Sequence, residues 1–453
     1  MFRSSVFFKT MTATTIFALF AVMCSGSDLS EVIPGPEGSI AVDVRKAVEF
    51  SLNNIEDIKI SEVETEITYH QYREAQTLRY PELTGRGEWK NNARYPVNLR
   101  YPRGTISDYE MGMGVTLSQT IWSSGRVSLA VESARRNFEM VKLKEDVTRE
   151  DVIYTAKVAY HTAILAKRAL KIARESYENS IRTREALASR SAMGRASRKD
   201  NIRIESDIAA RMPEVAGYEA DVATAKNILK RIMGIDPRVD ITLSEDFRAT
   251  YSEKKYDDLV ALLLEREPML KVLEKNILLR ESLIRKEKAE YLPYISGFFT
   301  WDYWGRSDEA KHWYIGQERL MDQFGAIGLS VTVPIFDMGR TRERVKQAQK
   351  DREKALLEFE RTSRNLVLDL KNAVSDYNKY IEMLKANRRS VELSEQTFSL
   401  FQDLFKTGQV TLLEINDAEL ALTREKLEEV NTLYNINTSF ARIERLVSEG
   451  EGL

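Results

Sequence analysis

Side chains that could act as nucleophiles, bases or metal ligands are few in this sequence. The 453 residues contain three histidines, His70, His161 and His312, which lie far apart, and one cysteine, Cys24. One cysteine excludes an intramolecular disulfide and leaves a structural zinc site almost without ligands. No nucleophile elbow, phosphate-binding loop, HExxH motif or dinucleotide fingerprint occurs. We therefore expect no enzyme, no metal site and no cofactor.

Charge excludes a further class of protein. Lys and Arg number 67 and Asp and Glu 69, which leaves a formal net charge of −2. A nucleic-acid-binding surface requires a clustered basic excess. We therefore expect no nucleic-acid partner.

The N-terminus has the pattern of an export signal. Arg3 and Lys9 precede an apolar stretch from Met11 to Met23, which is long enough for a signal peptide and too short to span a membrane. Two outcomes stay open for Cys24: it is the lipidated first residue of a mature lipoprotein, or a peptidase cuts shortly after it. Met23 departs from the small residue that usually precedes a lipidated cysteine. In both cases residues 1–26 direct the chain out of the cytoplasm.

The rest of the chain is a tandem repeat. Gly125-Arg126 recurs as Gly339-Arg340, and Gly194 recurs as Gly408, in each case 214 positions later. Nearer the middle of each half, Pro81 pairs with Pro293 at an offset of 212. The following ranges are predicted: a first repeat at 27–233, with a hairpin at 83–121, a long helix at 126–193 and a helix at 195–233; an equatorial linker at 234–258; a second repeat at 259–448, with a hairpin at 294–336, a long helix at 340–407 and a helix at 410–448; and a tail at 449–453. Each half is expected to start with one helix before its hairpin.

The long helices are predicted from the absence of breakers. Neither Gly nor Pro occurs in 126–193 or in 340–407, two stretches of 68 residues. At about 1.5 Å per residue each would extend roughly 100 Å. Apolar residues recur in alternating steps of three and four, which is the spacing of a coiled coil. Each helix therefore needs neighbours along a narrow seam.

The hairpin segments alternate with period two over roughly ten residues, which suits transmembrane β-strands. All five tryptophans lie in or beside these segments, and tryptophan at strand ends is typical of a membrane-interface belt. An ordinary solvent-facing sheet is the alternative. The predicted belt consists of Trp89, Trp122, Trp301 and Trp304, and Trp313 is the fifth tryptophan. Four strands cannot close a barrel alone, so we expect each chain to supply one part of a symmetric ring.

Three segments carry a family resemblance. They are Leu292-Pro-Tyr-Ile-Ser296, Val333-Pro-Ile-Phe-Asp-Met-Gly-Arg340, and Phe405-Lys-Thr-Gly408 with the following Leu412-Leu-Glu-Ile-Asn-Asp417. The chain resembles the TolC-type outer-membrane efflux proteins over about residues 40–450. The resemblance implies a mostly α fold with a small β part, in which a homotrimer forms a twelve-stranded β-barrel continuous with a tunnel of long antiparallel helices. It also implies an outer-membrane location in a Gram-negative bacterium, extending into the periplasm, with contacts to outer-membrane lipid, a periplasmic adaptor and an inner-membrane transporter.

The resemblance also assigns roles near the helix turns. Gly194, Gly408 and Phe405 would belong to the turns that meet the adaptor. Asp417 and Glu414, nine and six residues past Gly408, would line the narrowest ring, and Asp200 would join the network that closes it. The family prototype has Tyr and Arg where this chain has Phe405 and Val410, so its hydrogen bonds cannot be copied unchanged.

The charges around the turns suggest a different closure. The first turn is basic and the second is acidic. We therefore hypothesise ion pairs that hold the resting channel shut between Arg195, Arg198, Lys199 and Arg203 on one side and Glu414, Asp417 and Glu419 on the other.

Two functions remain from the sequence. The preferred one is an outer-membrane duct for efflux or type I secretion, with export of small molecules favoured over export of proteins. The alternative is a periplasmic coiled-coil scaffold without a pore, which explains the helices but not the paired hairpins.

Overall fold

The computed structural model describes residues 40–91, 109–192, 197–244, 246–247, 251–307 and 321–448. The signal peptide with Cys24, the turn residues Gly194 and Arg195, Trp313 and the tail at 449–453 lie outside this part of the chain. The strands are β1 Ile40–Val42, β2 Glu82–Asn91, β3 Tyr109–Trp122, β4 Ile241–Leu243, β5 Tyr294–Ser307 and β6 Met321–Thr332. The helices are α1 Val44–Asn54, α2 Glu56–Thr77, α3 Arg126–Ala192, α4 Arg198–Ile232, α5 Tyr256–Arg266, α6 Pro268–Ala289, α7 Arg340–Thr407 and α8 Leu412–Val447.

The two halves have matching elements. Helices α1 and α5 each have 11 residues, α2 and α6 each have 22, and α3 and α7 have 67 and 68. The turn before each long helix uses the same backbone, because Ser124 and Gly125 have φ of 51° and 88° and Met338 and Gly339 have φ of 56° and 82°. The repeat is therefore structural as well as sequential.

Each half starts with two helices rather than the single helix predicted from the sequence. Ile55 is extended, with ψ of 137°, and separates α1 from α2. Glu267 has ψ of 115° and precedes Pro268, which begins α6. A residue before proline is pushed out of the helical region, and proline fits the first position of a helix.

The ends of several elements differ from the predicted ranges. Helix α4 begins at Arg198 because the Ser197 hydroxyl caps it, and α8 begins at Leu412 because Thr411 caps it, so both start later than predicted. Strand β6 ends at Thr332, whereas the hairpin was predicted to extend to residue 336. Pro334 lacks the N–H that a strand ladder needs. The predicted linker holds strand β4 and the start of α5.

Four strands form one antiparallel sheet in the order β2-β3-β5-β6. Side chains alternate between its faces, and the register places Leu83, Leu117 and Phe299 in one cross-strand row. That face is apolar. The other face carries Thr84, Arg86, Glu88, Thr116 and Asp302. Within the described chain β2 and β6 each have one unpaired edge.

The long helices bridge two groups of neighbours. Near the sheet the helices pack in the order α2-α3-α6-α7, and toward the helix turns in the order α4-α3-α8-α7. The larger apolar core lies between these groups, where β1 and β4 pair in parallel and the fully buried Tyr160, Leu263 and Ile436 meet. Within the described residues, no helix is both long enough and apolar enough to cross a membrane.

Candidate functional site at the helix turns

The candidate site is the end of the molecule where α3 turns into α4 and α7 turns into α8, here called the tip. Gly408 ends α7 with φ of 86°, a left-handed conformation that glycine adopts without a steric penalty. Three residues after Gly408, Thr411 forms a capping box with Glu414 that starts α8. The turn between α3 and α4 lies outside the described residues.

A small apolar core holds the four helix ends of the tip together. Helix α3 contributes Leu187, α4 contributes Ile204 and Ile208, and α7 and α8 supply the rest, namely Phe398, Phe405, Leu412, Ile415 and Leu422. Phe405 is only 1% exposed. The Phe405 ring is thus part of the core, and the place of this turn in an adaptor contact stays a prediction.

Arg190 of α3 links the two turns, and sequence reasoning missed it. Its Nη1 donates a hydrogen bond to the Phe405 carbonyl at 3.2 Å, and its guanidinium lies 4.8 Å from the Phe405 ring centroid. A Cβ added to Gly408 would lie 3.5 Å from Nη2 of the same arginine. The glycine therefore gives both the turn and the space against which the arginine packs.

The predicted acidic ring consists of Asp417 and Glu414. Asp417 is exposed on α8, one turn into the helix. Glu414 accepts hydrogen bonds from the Thr411 backbone N–H at 2.8 Å and from its hydroxyl at 2.7 Å, and these bonds lower the pKa of the Glu414 carboxyl. Glu414 therefore stays ionised but is occupied with starting its own helix.

Among the described residues, which do not include Arg195, the hypothesised latch is not formed. Arg198, Lys199 and Arg203 are exposed and make no ion pair within the described residues. Asp200 is half-buried in the first turn of α4, where its backbone N–H bonds the Ser197 hydroxyl. Glu419 is buried and binds a different arginine. Arg198, Lys199 and Arg203 could therefore form a latch only with residues outside the described part of the chain or with another molecule.

Arg211 is the partner of Glu419, and the pair is buried between α3, α4 and α8. The Arg211 guanidinium donates hydrogen bonds to the Glu419 carboxylate and to the Ser176 hydroxyl. Their side chains are 10% and 5% exposed. A second contact between the hairpins joins the Asn416 amide to the Asp207 carboxylate at 2.6 Å. The two helical hairpins are thus tied by polar groups above the tip core.

A sequence signal for the buried pair did exist. Arg211 follows Ile204 and Ile208 in steps of four and three, and Glu419 follows Leu412 and Ile415 in steps of three and four. Both charges therefore occupy seam positions of a coiled coil, where a polar residue specifies the partner.

At the other end of the molecule, three of the four predicted belt tryptophans fit the apolar surface of the sheet. Trp89 and Trp301 lie on the apolar face, 61% and 46% exposed, and Trp122 pairs with Ile295 past a bulge. Trp304 lies instead on the polar face, where its ring covers Gly112, and its place in a membrane belt stays a prediction.

The sequence profile described as "Outer membrane efflux protein" matches residues 48–235 and 259–449, which is most of the chain. The chain belongs to this family. The relatives include the cation efflux system protein CusC of Escherichia coli strain K12, 20% identical over 87% of this chain and 84% of the relative, and the probable outer membrane lipoprotein SilC of Salmonella typhimurium, 20% identical over 84% and 80%. Among solved structures, the outer membrane protein VceC of Vibrio cholerae has a TM-score of 0.73 at 16% identity, covering 89% of this chain and 95% of VceC.

The family fixes the general function. The chain has the TolC-like fold and is an outer-membrane channel component of an efflux system in a Gram-negative bacterium. Its family consists of transport channels rather than enzymes. The scaffold alternative has no support.

Proposed function

We propose that three copies of the chain form one continuous duct, with a twelve-stranded barrel in the outer membrane and a tunnel of helices in the periplasm. The observation that carries this proposal is that, within the described residues, each layer ends in two unpartnered edges. These are β2 and β6 in the sheet, α2 and α7 beside the sheet, and α4 and α7 toward the tip. A head-to-tail ring joins each edge to its complement with a single rotation axis.

The exposed apolar side chains lie along these edges. Ile60, Val63 and Ile67 form a stripe on α2 and are each more than half exposed, while Leu357 and Leu368 are equally exposed on α7. Large apolar patches left open in one chain mark surfaces that another molecule covers. Copies of the same chain are the occupants that close the ring.

The two faces of the sheet would then have different surroundings. The apolar face, with Leu83, Val115, Leu117, Phe299 and Ile327, would contact lipid. The opposite face, with Arg86, Glu88 and Asp302, would line an aqueous lumen. Alternation of this kind is the pattern of transmembrane barrels. Trp89, Trp122 and Trp301 are the tryptophans that we expect near the lipid interface.

We propose that Asp417 forms the narrowest acidic ring, with Glu414 adjacent to it. Asp417 is exposed in one chain, so three copies around an axis can place their carboxylates toward the passage. A ring of carboxylates favours cations over anions. Arg198, Lys199 and Arg203 are left for contacts with neighbouring copies or with an adaptor that docks at the turns around Gly194 and Gly408.

Members of this family work with an adaptor and an inner-membrane pump, and we extend that arrangement to this chain. The pump would supply energy, and the duct would carry substrate passively. We keep export of small molecules as the predicted cargo class. Arg211 with Glu419, and Arg190 with Phe405, tie the two hairpins and would have to loosen or move together when the tip opens.

Single-channel recording in planar bilayers tests the ring. Asp417→Asn should lower the preference for cations over anions severalfold, because three negative charges leave the narrowest section. The matched control is Asp403→Asn, which removes an equal charge from α7, where Asp403 pairs with Lys406 at 2.9 Å. Equal cation preference in the wild type and in Asp417→Asn would contradict the proposed ring.

A further inference from the structure

Because the two halves of the chain are alike, the contact between them inside one chain should recur between neighbouring copies. Inside the chain, α3 of the first repeat packs on α6 of the second, and β3 pairs with β5. In the proposed ring, the corresponding contact joins α7 and β6 of one copy to α2 and β2 of the next. The observed contact can therefore serve as a template for the one between copies.

We propose that Arg340 of one copy binds the C-terminal end of α2 and the Glu82 carboxylate of a second copy, while β6 pairs with β2 so that Thr332 lies opposite Arg86. This inference rests on the proposed ring and specifies how its copies meet.

The register of the sheet first confirms the two offsets. Glu82 lies opposite Ser118 in the first hairpin. Adding 212 to the first residue and 214 to the second gives Tyr294 and Thr332, which lie opposite each other in the second hairpin. The offsets found in the sequence therefore convert one observed pairing into another observed pairing without a slip.

The same offsets predict the pairing between copies. Inside the chain Ser118 lies opposite Phe298. Adding 214 to the first and subtracting 212 from the second gives Thr332 opposite Arg86. Both residues belong to the polar face, so the alternation of faces continues across the new edge, as a slip of one residue would not allow.

The same register also pairs exposed residues on the apolar face. Val115 lies opposite Trp301, and the counterparts of this pair are Leu329 and Trp89. Leu329 and Trp89 are 70% and 61% exposed in one chain. The pairing would place one of the most exposed leucines beside one of the most exposed tryptophans, on the face proposed to meet lipid.

Arg126 shows what the arginine of each Gly-Arg motif does. Its side chain donates hydrogen bonds to the last carbonyls of α6 and the loop that follows. The acceptors are the carbonyls of Ala289 at 3.1 Å, Glu290 at 3.1 Å and Leu292 at 2.6 Å. Its guanidinium also lies 5.0 Å from the Tyr294 ring centroid. A cation at a helix C-terminus satisfies free carbonyls and interacts favourably with the helix dipole.

Arg340 has the same place in the second repeat and no such partner among the described residues of its own chain. Its side chain is exposed and makes no hydrogen bond or ion pair within the described residues. The counterparts of the three acceptor carbonyls belong to Thr77, Leu78 and Tyr80 at the end of α2. The counterpart of Tyr294 is Glu82, which is exposed and also makes no ion pair within the described residues. Arg126 also pairs with the Glu290 carboxylate at 3.3 Å, and the counterpart of Glu290 is the uncharged Leu78. The Glu82 carboxylate would therefore supply the charge for Arg340, and this pair is complete only between two copies.

The helix faces agree with this assignment. Leu279, Ser282 and Ala289 form a buried stripe on α6, and Ser282 bonds Ser133 of α3 at 3.0 Å. Their counterparts on α2, Ile67, His70 and Thr77, are all exposed. The ion pairs of the internal contact do not recur. Glu132 and Arg285, 2.7 Å apart, correspond to Lys346 and Arg73. Lys275 and Glu139, 3.2 Å apart, correspond to Val63 and Glu353. The interface between copies would thus keep the packing and place its ion pair at Arg340 and Glu82.

Disulfide cross-linking tests the register in the full chain. Within one chain β2 and β6 are separated by three strand spacings, about 14 Å, which no disulfide spans. Thr332→Cys with Arg86→Cys should give covalent trimers under oxidation. Ser330→Cys with Arg86→Cys, on the same face but shifted by two residues, is the matched control and should give few. Each single-cysteine variant controls for Cys24.

The cross-linking outcomes separate the two proposals. Cross-linked trimers of the 332–86 pair support the register. Native trimers that cross-link only through the 330–86 pair, or through neither, overturn the register while the ring stands. A protein that stays monomeric in every variant overturns the ring itself.

A charge exchange tests the Arg340 contact. Arg340→Glu should lower the melting temperature of the trimer by about 2 °C, because the shift that one contact produces becomes smaller in longer chains. The Arg340→Glu, Glu82→Arg double variant should recover at least half of the loss. Arg342→Glu changes the same charge two residues away on another side of α7 and should have a smaller effect. Equal losses at 340 and 342, or no recovery in the double variant, would overturn the contact.

Discussion

Two acids, the buried Glu267 and the half-buried Glu150, should make the stability of the fold depend on pH in a way that could not be predicted from the sequence. The Glu267 side chain is fully buried before α6, and one of its oxygens accepts a hydrogen bond from Arg445 at 2.9 Å. Its other oxygen is buried without a partner among the described residues. Burial raises the pKa of Glu267 above its ordinary value, and burial raises the pKa of Glu150 in the same region.

The sign of the effect follows from linkage. A carboxyl whose pKa is higher in the folded than in the unfolded state stabilises the fold fully below the unfolded pKa, near 4.5. That contribution disappears as the pH rises through the folded pKa. We expect Glu267→Gln, compared with the wild type by thermal unfolding from pH 4 to 8, to lose less stability as the pH rises. Parallel curves for the two proteins would contradict the raised pKa.

The three acids that the sequence analysis placed on one side of the latch have different surroundings in the structure. Asp417 is exposed as a ring residue must be, whereas Glu414 caps α8 and Glu419 is buried against Arg211. The Thr411-x-x-Glu414 spacing is a capping-box pattern, so the role of Glu414 was readable from sequence. That Glu419 pairs with Arg211 and not with Arg203 could not be read from the sequence, because it depends on which helix seams face each other.

At the scale of helices, the Arg211–Glu419 pair joins α4 to α8. Removing one partner leaves a buried charge uncompensated, which costs about 3–5 kcal/mol. Glu419→Leu alone should therefore be strongly destabilising, whereas Arg211→Met with Glu419→Leu should recover most of the loss. Denaturant unfolding of both single variants and the double variant measures the coupling, and additive losses would mean that the two side chains do not interact.

Two glycines of the helical hairpins should respond oppositely to alanine. Gly408 has φ of 86°, where a side chain costs about 1–2 kcal/mol, and Arg190 packs beside it. Gly217 lies inside α4 with nothing within 4 Å of an added Cβ, so alanine should gain about 0.5–1 kcal/mol there. Thermal unfolding of the two variants compares them, and equal signs would contradict this assignment of the turn.

Which elements exist could be predicted better than where they break. The two long stretches without glycine or proline gave α3 and α7, and period-two alternation located the hairpins. The helix breaks at Ile55 and before Pro268 were not predicted, although a proline is a signal for the second one. The parallel pair β1–β4 could not be predicted, because three-residue strands carry no periodic signal and are fixed by packing around Tyr160.

At the scale of the whole molecule, the repeat is the basis of the proposed ring. The two halves have matching elements, and within the described residues the sheet has two open edges that copies of the same chain would cover. The family membership gives an efflux channel, and the edges give the reason that one chain is not a complete channel.

The most direct measurement is single-channel conductance of the detergent-purified full chain, recorded alongside its mass by light scattering. A species of three chain masses that conducts with a preference for cations, reduced by Asp417→Asn, is the predicted result. A monodisperse protein of one chain mass that never conducts would contradict the duct.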